Sequence, residues 1–433
     1  MDELKAKDKR RELWLVIPFL LLIFSFTTPY NPSWPSDVEY KKNIIQVNEA
    51  IHRMERGNMG RRLGLVVLGI YGILLLAFTK NRFRLNGALA WLLVFYLAWV
   101  VLSLLWSIDK WFTIRRVVTY FILWMAAIAT ASRYSIKELA HICFYVCGIT
   151  AIVAFANEIR LHTINPLSES WRFSGLFHAV MMGWNCGMFA LSSYYLASVS
   201  PPASFRRMFF YAMTLLALCL LLLTKSRMAV ASTLIGLFFI WYMISSARSR
   251  AGFFLVVVIM LCMGYLVLGD KIFEYGEAAT TLGRGESAKE SVGTLTGRLP
   301  LWKECFRWWV KSPILGYGFN TFISPKHYVE ISQNVGWTPS SIHSGYIDAL
   351  MGLGFIGLSA MLGFLSLALA KALSLARKNL PYVFSAAVLI WLCYNLFLEA
   401  NLIIRPIFMT FAVLVLLAQL AFLPVEKETE YYS

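Results

Sequence analysis

The chain has no Asp-x-Asp pair, no phosphate-binding glycine loop and no Gly-x-Ser-x-Gly elbow. Those absences exclude a transferase that holds a divalent ion on a nucleotide sugar, a nucleoside-triphosphate enzyme of the P-loop kind and an elbow-type serine hydrolase. Acidic residues are few, 24 against 40 basic ones, and too isolated for a two-carboxylate glycosidase to be legible. Seven cysteines lie at 143, 147, 186, 219, 262, 305 and 393. All but Cys305 fall in apolar segments, so neither a disulfide framework nor metal-ligand spacing is present. Cys143 and Cys147, one helical turn apart, read as small apolar residues. No metal and no cofactor is expected. There is no convincing internal repeat, no low-complexity tract and no separate soluble domain.

What the chain has in quantity is apolar surface. It is 433 residues long, 58% hydrophobic and 15% aromatic. A soluble protein of this size cannot hide that much, and repeated apolar runs of about 20 residues mean transmembrane helices. The formal charge of +16 points to anionic partners such as phosphate groups and phospholipid headgroups. Lysine and arginine also flank the spans of any membrane protein, and part of the excess belongs to topology. Membrane lipids are expected as partners, and nucleic acid is not.

Met1–Glu12 carries Lys5, Lys7, Lys9, Arg10 and Arg11 ahead of a first span, Leu13–Thr28, whose apolar run lacks a small-residue cleavage site and reads as retained. The positive-inside rule makes this end cytoplasmic. A loop with Pro29, Pro32 and Pro35 leads to spans at Leu63–Phe78, Leu85–Trp106, Phe112–Ser132 and Leu139–Ala156. Further spans follow at Phe177–Ser198, Met208–Leu223, Met228–Ser245 and Ala251–Gly269, then Tyr346–Ala370, Val383–Leu398 and Pro406–Phe422. The expected fold is an all-α integral membrane protein with about twelve transmembrane helices and both termini inside. Its organisation is helices 1–9 over 1–268, a large outer loop over 269–344, and helices 10–12 with a tail over 345–433. Basic inner loops at 80–84, 206–207, 248–250 and 371–378 support that orientation, whereas Arg61-Arg62 and Arg115-Arg116 fall on outer ends. The orientation gathers Arg172, Arg227, Arg298, His343 and Glu399 on one outer side.

Within the long loop Leu301–Lys311 reads as an amphipathic helix suited to the membrane interface. Trp302, Phe306, Trp309 and Val310 share one face, and Lys303, Glu304, Arg307 and Lys311 take the other. Pro300 suits a first helical turn. Arg298 would lie just before the helix N-terminus, either as an anion ligand or as a side chain reaching headgroups. Arg227 and Lys225 sit in a tight turn between two spans; such residues anchor helices, and a guanidinium fork also grips a diphosphate. His343 opens a span after Pro339-Ser340-Ser341, and its ordinary pKa range suits a general base at neutral pH. Asp348, five residues on, is about 140° around the helix and poorly placed to orient the ring. Glu399, at the outer end of its span, is the better partner, with pairing to Arg405 as the alternative.

These pieces resemble the O-antigen ligase and O-antigen polymerase superfamily of bacterial inner membranes. The matching segments are Thr296-Gly297-Arg298 with Trp302, Pro313…Gly316-x-Gly318, and His343-Ser344 with Gly354-x-x-Gly357. Arg172-Phe173-Ser174-Gly175-Leu176-Phe177 and Ser226-Arg227 match in the preceding half. Two departures stand out: Ser344 where the family often has asparagine, and His178-Ala179-Val180-Met181 where asparagines are common.

The resemblance implies a metal-independent glycosyltransferase of the integral-membrane type C class, inverting at the anomeric carbon. It implies a glycan on undecaprenyl diphosphate as donor and a sugar hydroxyl of lipid A–core as acceptor, on the periplasmic side. His343 would be the general base, with Glu399 in support, and Arg298 and Arg227 would bind the diphosphate with support from Lys225 and Arg172. A polymerase or a protein O-oligosaccharyltransferase would use the same donor; a single moderate loop and no large C-terminal extension lean toward the ligase. A transporter of lipid-linked glycan would need ionisable residues near the bilayer midplane, whereas here they gather at outer ends.

Overall fold

In the computed structural model, residues 2–27, 58–78, 85, 87–166, 168, 171–253, 298–337, 339, 341–398 and 405–424 are described, with side chains from Glu12 onward. They form helices and no strands among the described residues. The long helices are α1 (Asp2–Thr27), α2 (Met59–Phe78), α3 (Ala88–Leu102), α4 (Lys110–Arg133), α5 (Ile136–Arg160), α6 (Ala179–Ser198), α7 (Phe205–Leu223) and α8 (Arg227–Ile244). Two short helices follow, α9 (Arg298–Trp309) and α10 (Pro325–Val335), then α11 (Gly345–Ala376), α12 (Pro381–Leu398) and α13 (Phe408–Phe422). Seven of these are long and apolar enough to cross a membrane, and Glu12–Thr27, Ala88–Leu102 and Phe408–Phe422 are shorter apolar helices. This is a multi-pass membrane protein. The expected span after Ala251 lies outside the described residues beyond 253, as does Glu399.

Local chemistry explains several helix ends. Ser135 and Glu138 form a capping box at the start of α5, each satisfying the other's backbone N–H. Asp109 caps α4 by accepting from Phe112 N, and Ser204 caps α7 by accepting from Arg207 N. On α2 the side chains of Leu63, Val66, Ile70 and Leu74 recur at helical spacing and remain exposed. An apolar stripe open on that scale faces lipid rather than water. By contrast α6 and α13 are buried along almost their whole length and form the centre of the bundle.

Contacts between helices fix which ends lie together. At one end, Arg133 pairs with Glu12, Gln419 Nε2 donates to Tyr134 O at 2.7 Å and Lys371 Nζ donates to Leu420 O at 2.6 Å. At the other, Arg61 Nε donates to Thr27 O at 2.9 Å and Ser344 Oγ donates to Leu396 O at 3.4 Å. The second end carries α9, α10 and the candidate site.

That end is built around a break in α11. Gly354 has φ 66° inside the helix, a left-handed conformation that glycine alone enters freely. The segment Pro313–Gly318 lies directly against the break. Phe355 N donates to Pro313 O, Tyr317 N to Met351 O and Gly318 N to Gly352 O, at 2.8–2.9 Å. Two indoles from the α3 side complete the joint: Trp99 Nε1 donates to Leu353 O at 3.0 Å, and Trp106 Nε1 to Leu315 O at 2.8 Å. The carbonyls and amides released by the kink are therefore paired, as buried backbone groups must be. The glycines of this motif serve backbone contact and do not form an anion cradle.

Candidate functional site

The arginine-bearing loop before α6 is held by one buried carboxylate. Glu158, near the end of α5, is only 3% exposed. Its Oε1 accepts from Ser174 N at 3.1 Å and Gly175 N at 2.8 Å, and its Oε2 accepts from Thr163 Oγ1. Asn157 Nδ2 adds a bond to Gly175 O at 3.0 Å. Gly175 has φ 56°, and a Cβ there would stand 2.6 Å from Ala154 Cβ, so the Arg-x-Ser-Gly run needs its glycine for close approach to α5.

The same loop reaches the α7–α8 turn. Phe173 N donates to Leu223 O at 2.8 Å, and Arg172 Nε donates to Thr224 O at 3.0 Å. In return Lys225 Nζ donates to Ser168 O at 2.8 Å. Lys225 is buried and has φ 48°. Arg227, half-buried, is the first residue of α8. Arg172, Lys225 and Arg227 are thus brought into one tightly tied pair of loops.

Removing the carboxylate should loosen that pair. Glu158→Ala leaves two buried backbone donors unsatisfied, at about 1–3 kcal/mol each, and Glu158→Gln keeps an acceptor. We expect Ala to lower both thermal stability and turnover while Gln retains most of the stability; unchanged unfolding and activity in Glu158→Ala would count against the brace.

The second half of the site comes from the loop helices. The described part of α9 begins at Arg298, so this side chain belongs to a helical turn rather than preceding the helix as expected from sequence. Trp302, one turn on, donates from Nε1 to Ile342 O at 2.9 Å. That bond fastens the Arg298 face of α9 one residue from His343. His343 is half-buried with φ 57°, an uncommon backbone state for a residue with a side chain. Its ring centroid stands 6.1 Å from that of Trp337. Ser344 caps α11, accepting from Ile347 N at 3.4 Å and donating to α12 at Leu396 O. So the serine that stands in the asparagine position carries the local bonding itself. Among the described residues, five other than glycine have positive φ, and two of them are Lys225 and His343. Backbone strain of this kind gathers at sites where geometry is imposed.

The α9–α10 unit has its own small core of Leu301, Cys305, Tyr317, Phe322, Ile331, Ile342 and Met351. The expected division of α9 is corrected at Glu304. It is buried, not solvated, because α10 covers it: Glu304 Oε1 accepts from Arg307 Nη2 and Trp308 Nε1 at 2.8 Å and from Asn334 Nδ2 at 3.0 Å. Phe306 and Val310 of the expected apolar face stay 46% and 71% exposed, free to meet lipid. His327 fills the space among Trp308, Tyr317 and Phe322, with ring centroids 4.4–5.6 Å away; burial holds its pKa below the ordinary histidine range.

Asp348 and Glu158 carry signals that sequence alone left unused. Each is an acidic residue within an apolar run, where an unpartnered carboxylate is costly. The charges acting on Asp348 are those of Arg116 and Arg405.

Two comparisons bear on this arrangement. No curated protein matches the chain. A family model described as O-antigen ligase matches residues 212–362, a stretch that contains Lys225, Arg227, Arg298, His343 and the glycine joint, and leaves out Arg172. The match and the Arg298–His343 tie fall in the same third of the sequence, and over that stretch the chain is similar to the O-antigen ligase family.

Proposed function

We propose that this glycosyltransferase-like membrane enzyme is an O-antigen ligase, moving a glycan from undecaprenyl diphosphate to a sugar hydroxyl of lipid A–core. The reaction takes place at the periplasmic face of the bacterial inner membrane, with both termini cytoplasmic. His343 accepts the acceptor hydroxyl's proton, and that oxygen attacks the anomeric carbon from the face opposite the diphosphate. The new glycosidic C–O bond forms as the sugar–phosphate C–O bond breaks, inverting the centre and releasing undecaprenyl diphosphate. Arg298 and Arg227 bind the diphosphate and stabilise the charge that builds on it, with Lys225 and Arg172 in support, while Glu399 orients the His343 ring. No metal is required in this scheme, because fixed cations neutralise the leaving group.

The observation that carries the reading is the Trp302–Ile342 hydrogen bond. It ties the helix headed by Arg298 to the turn holding His343, and a base and a leaving-group ligand must be held in one frame around the reacting carbon. Trp302→Phe keeps the ring and removes the N–H. It should cut transfer about tenfold, the effect of a bond worth about 1.4 kcal/mol, with the protein still membrane-inserted.

The reading is tested with purified protein given lipid-diphosphate-linked glycan, with and without lipid A–core, in chelator. A ligase shifts the lipid A–core band, and the shift vanishes in His343→Ala. Lengthened lipid-linked glycan in the absence of lipid A–core would instead mean a polymerase.

A further inference from the structure

The helix headed by Arg227 and the helix that follows His343 are joined through a buried amide on α12. Asn395 and Ser232 are both fully buried. Asn395 Nδ2 donates to Ser232 Oγ on α8 at 2.7 Å and to Trp391 O on its own helix at 2.8 Å. The Trp391 carbonyl can only accept, and the Ser232 hydroxyl is directed at Ala229 O, 3.1 Å away. The amide nitrogen is therefore the donor in both bonds, which fixes the orientation of the side chain. The same stretch of α12 holds the start of α11. Cys393 O accepts from Tyr346 Oη at 3.0 Å, and Leu396 O accepts from Ser344 Oγ. The rings of Tyr346 and Phe397 meet edge to face with centroids 5.1 Å apart. A Cβ at Gly345 would stand 2.5 Å from Leu396 Cδ2, so the first turn of α11 is closed onto α12.

These bonds make a continuous path between two groups of the site. Ser232 follows Arg227 by five residues, about 7–8 Å down α8 at the helical rise. Tyr346 follows His343 by three. On its other side the head of α8 is backed by α6 at Gly183, where a Cβ would stand 2.9 Å from Ala229 Cβ and 3.2 Å from Thr224 Oγ1. Between membrane helices, close packing at small residues and interhelical hydrogen bonds set the arrangement. Stability alone does not call for an amide here. Asn395 Oδ1 is buried with no partner among the described residues, a cost that an apolar side chain of similar size avoids. What the amide adds is direction, since a hydrogen bond fixes the rotation and register of α8 against α12.

We propose that Asn395 is a positioning residue for glycan transfer, holding the helix headed by Arg227 in register with the turn that carries His343. It rests on the ligase reading in taking both residues to act on one reacting centre. Asn395 touches neither substrate; it acts through Ser232 on the placement of Arg227. A shift of the guanidinium relative to the base costs rate because both must meet the same bond as it breaks.

The test removes both partners together, Ser232→Ala with Asn395→Leu, in the full chain in detergent. Initial rates of transfer and thermal unfolding are measured on the same samples. Ser192→Ala, which deletes a buried hydroxyl bonded within its own helix, is the control. In the paired variant kcat/KM for the donor should fall about tenfold, the scale of one interhelical hydrogen bond. The acceptor KM should stay as in the wild type, a split that loss of folded protein does not produce. The unfolding temperature should be unchanged or raised, because the two polar groups leave together. On the residual transfer of Arg227→Ala the paired change should cost nothing further, since it acts through that arginine. Wild-type rates in the paired variant overturn the proposal. So does a fall in rate that follows lost stability with both KM values unchanged, or a full further loss in the Arg227→Ala background. Wild-type transfer in Arg227→Ala alone fails the reading beneath the proposal, whereas wild-type rates in the paired variant with Arg227→Ala impaired fail the positioning role and leave that reading intact.

Discussion

His343→Ala is expected to remove glycan transfer, slowing it by about 10²–10⁴ as loss of a general base does, with a normal amount of chain in the membrane. The turn that carries His343 has ties of its own outside the imidazole. It is fixed by the Trp302 bond to Ile342 O and by the Ser344 cap between α11 and α12. The backbone at 343 has φ 57°, so alanine keeps strain that glycine would relieve. The pair separates chemistry from conformation: His343→Gly should be as inactive as His343→Ala while unfolding at a slightly higher temperature. Activity recovered in the glycine variant would make the histidine a structural element. Arg298→Ala should lose about 10²–10³ in transfer, the scale of one preorganised charge-stabilising group, and retained transfer would remove Arg298 from the site.

Gly354→Ala should be the most damaging change among the motif glycines. A Cβ at this position would overlap Ile314 O and Leu315 N in the docked loop, and the φ of 66° is itself unfavourable for alanine. Backbone strain of about 1–3 kcal/mol adds to overpacking of about 1–3 kcal/mol. Together they remove a large part of a stability of about 5–15 kcal/mol. Low yield, early thermal unfolding and loss of transfer should appear together. Gly252→Ala, with nothing among the described residues within 4 Å of its added Cβ, is the matched neutral change. A Gly354→Ala protein as stable as Gly252→Ala would refute the joint.

The long helices were legible because apolar runs end in cations or caps; the start of α8 at Arg227 and the end of α7 at Leu223 agree closely with the expected spans. Arg298, Arg227, Lys225, Arg172 and His343 were legible as residues whose chemistry suits a diphosphate and a proton. The tie between the Arg298 helix and the His343 turn, and that between the Arg172 loop and the Lys225 turn, were less so, because each rests on single bonds between distant segments, such as Trp302 to Ile342 and Lys225 to Ser168. Glu304 was misplaced for a similar reason: the helical wheel of α9 knows nothing of α10, whose Asn334 covers it. Glu158 went unread because a lone acid at a helix end has no pattern until the loop it braces is in place. The glycines of Pro313–Gly318 were recognised as a motif, but their partners, Gly352 and Gly354, lie more than thirty residues downstream.

The joint at Gly354 also orders events during biogenesis. The Pro313–Gly318 segment bonds backward to Trp106 and forward to residues 351–355, so it has no complete partner until α11 has entered the membrane. Ribosomal synthesis delivers residue 318 before residue 351, and the loop must wait, undocked, while the later helix is inserted. His343 is carried in the segment that closes this gap. A nascent protein stalled before α11 therefore has neither the docked Pro313–Gly318 segment nor the turn that carries His343.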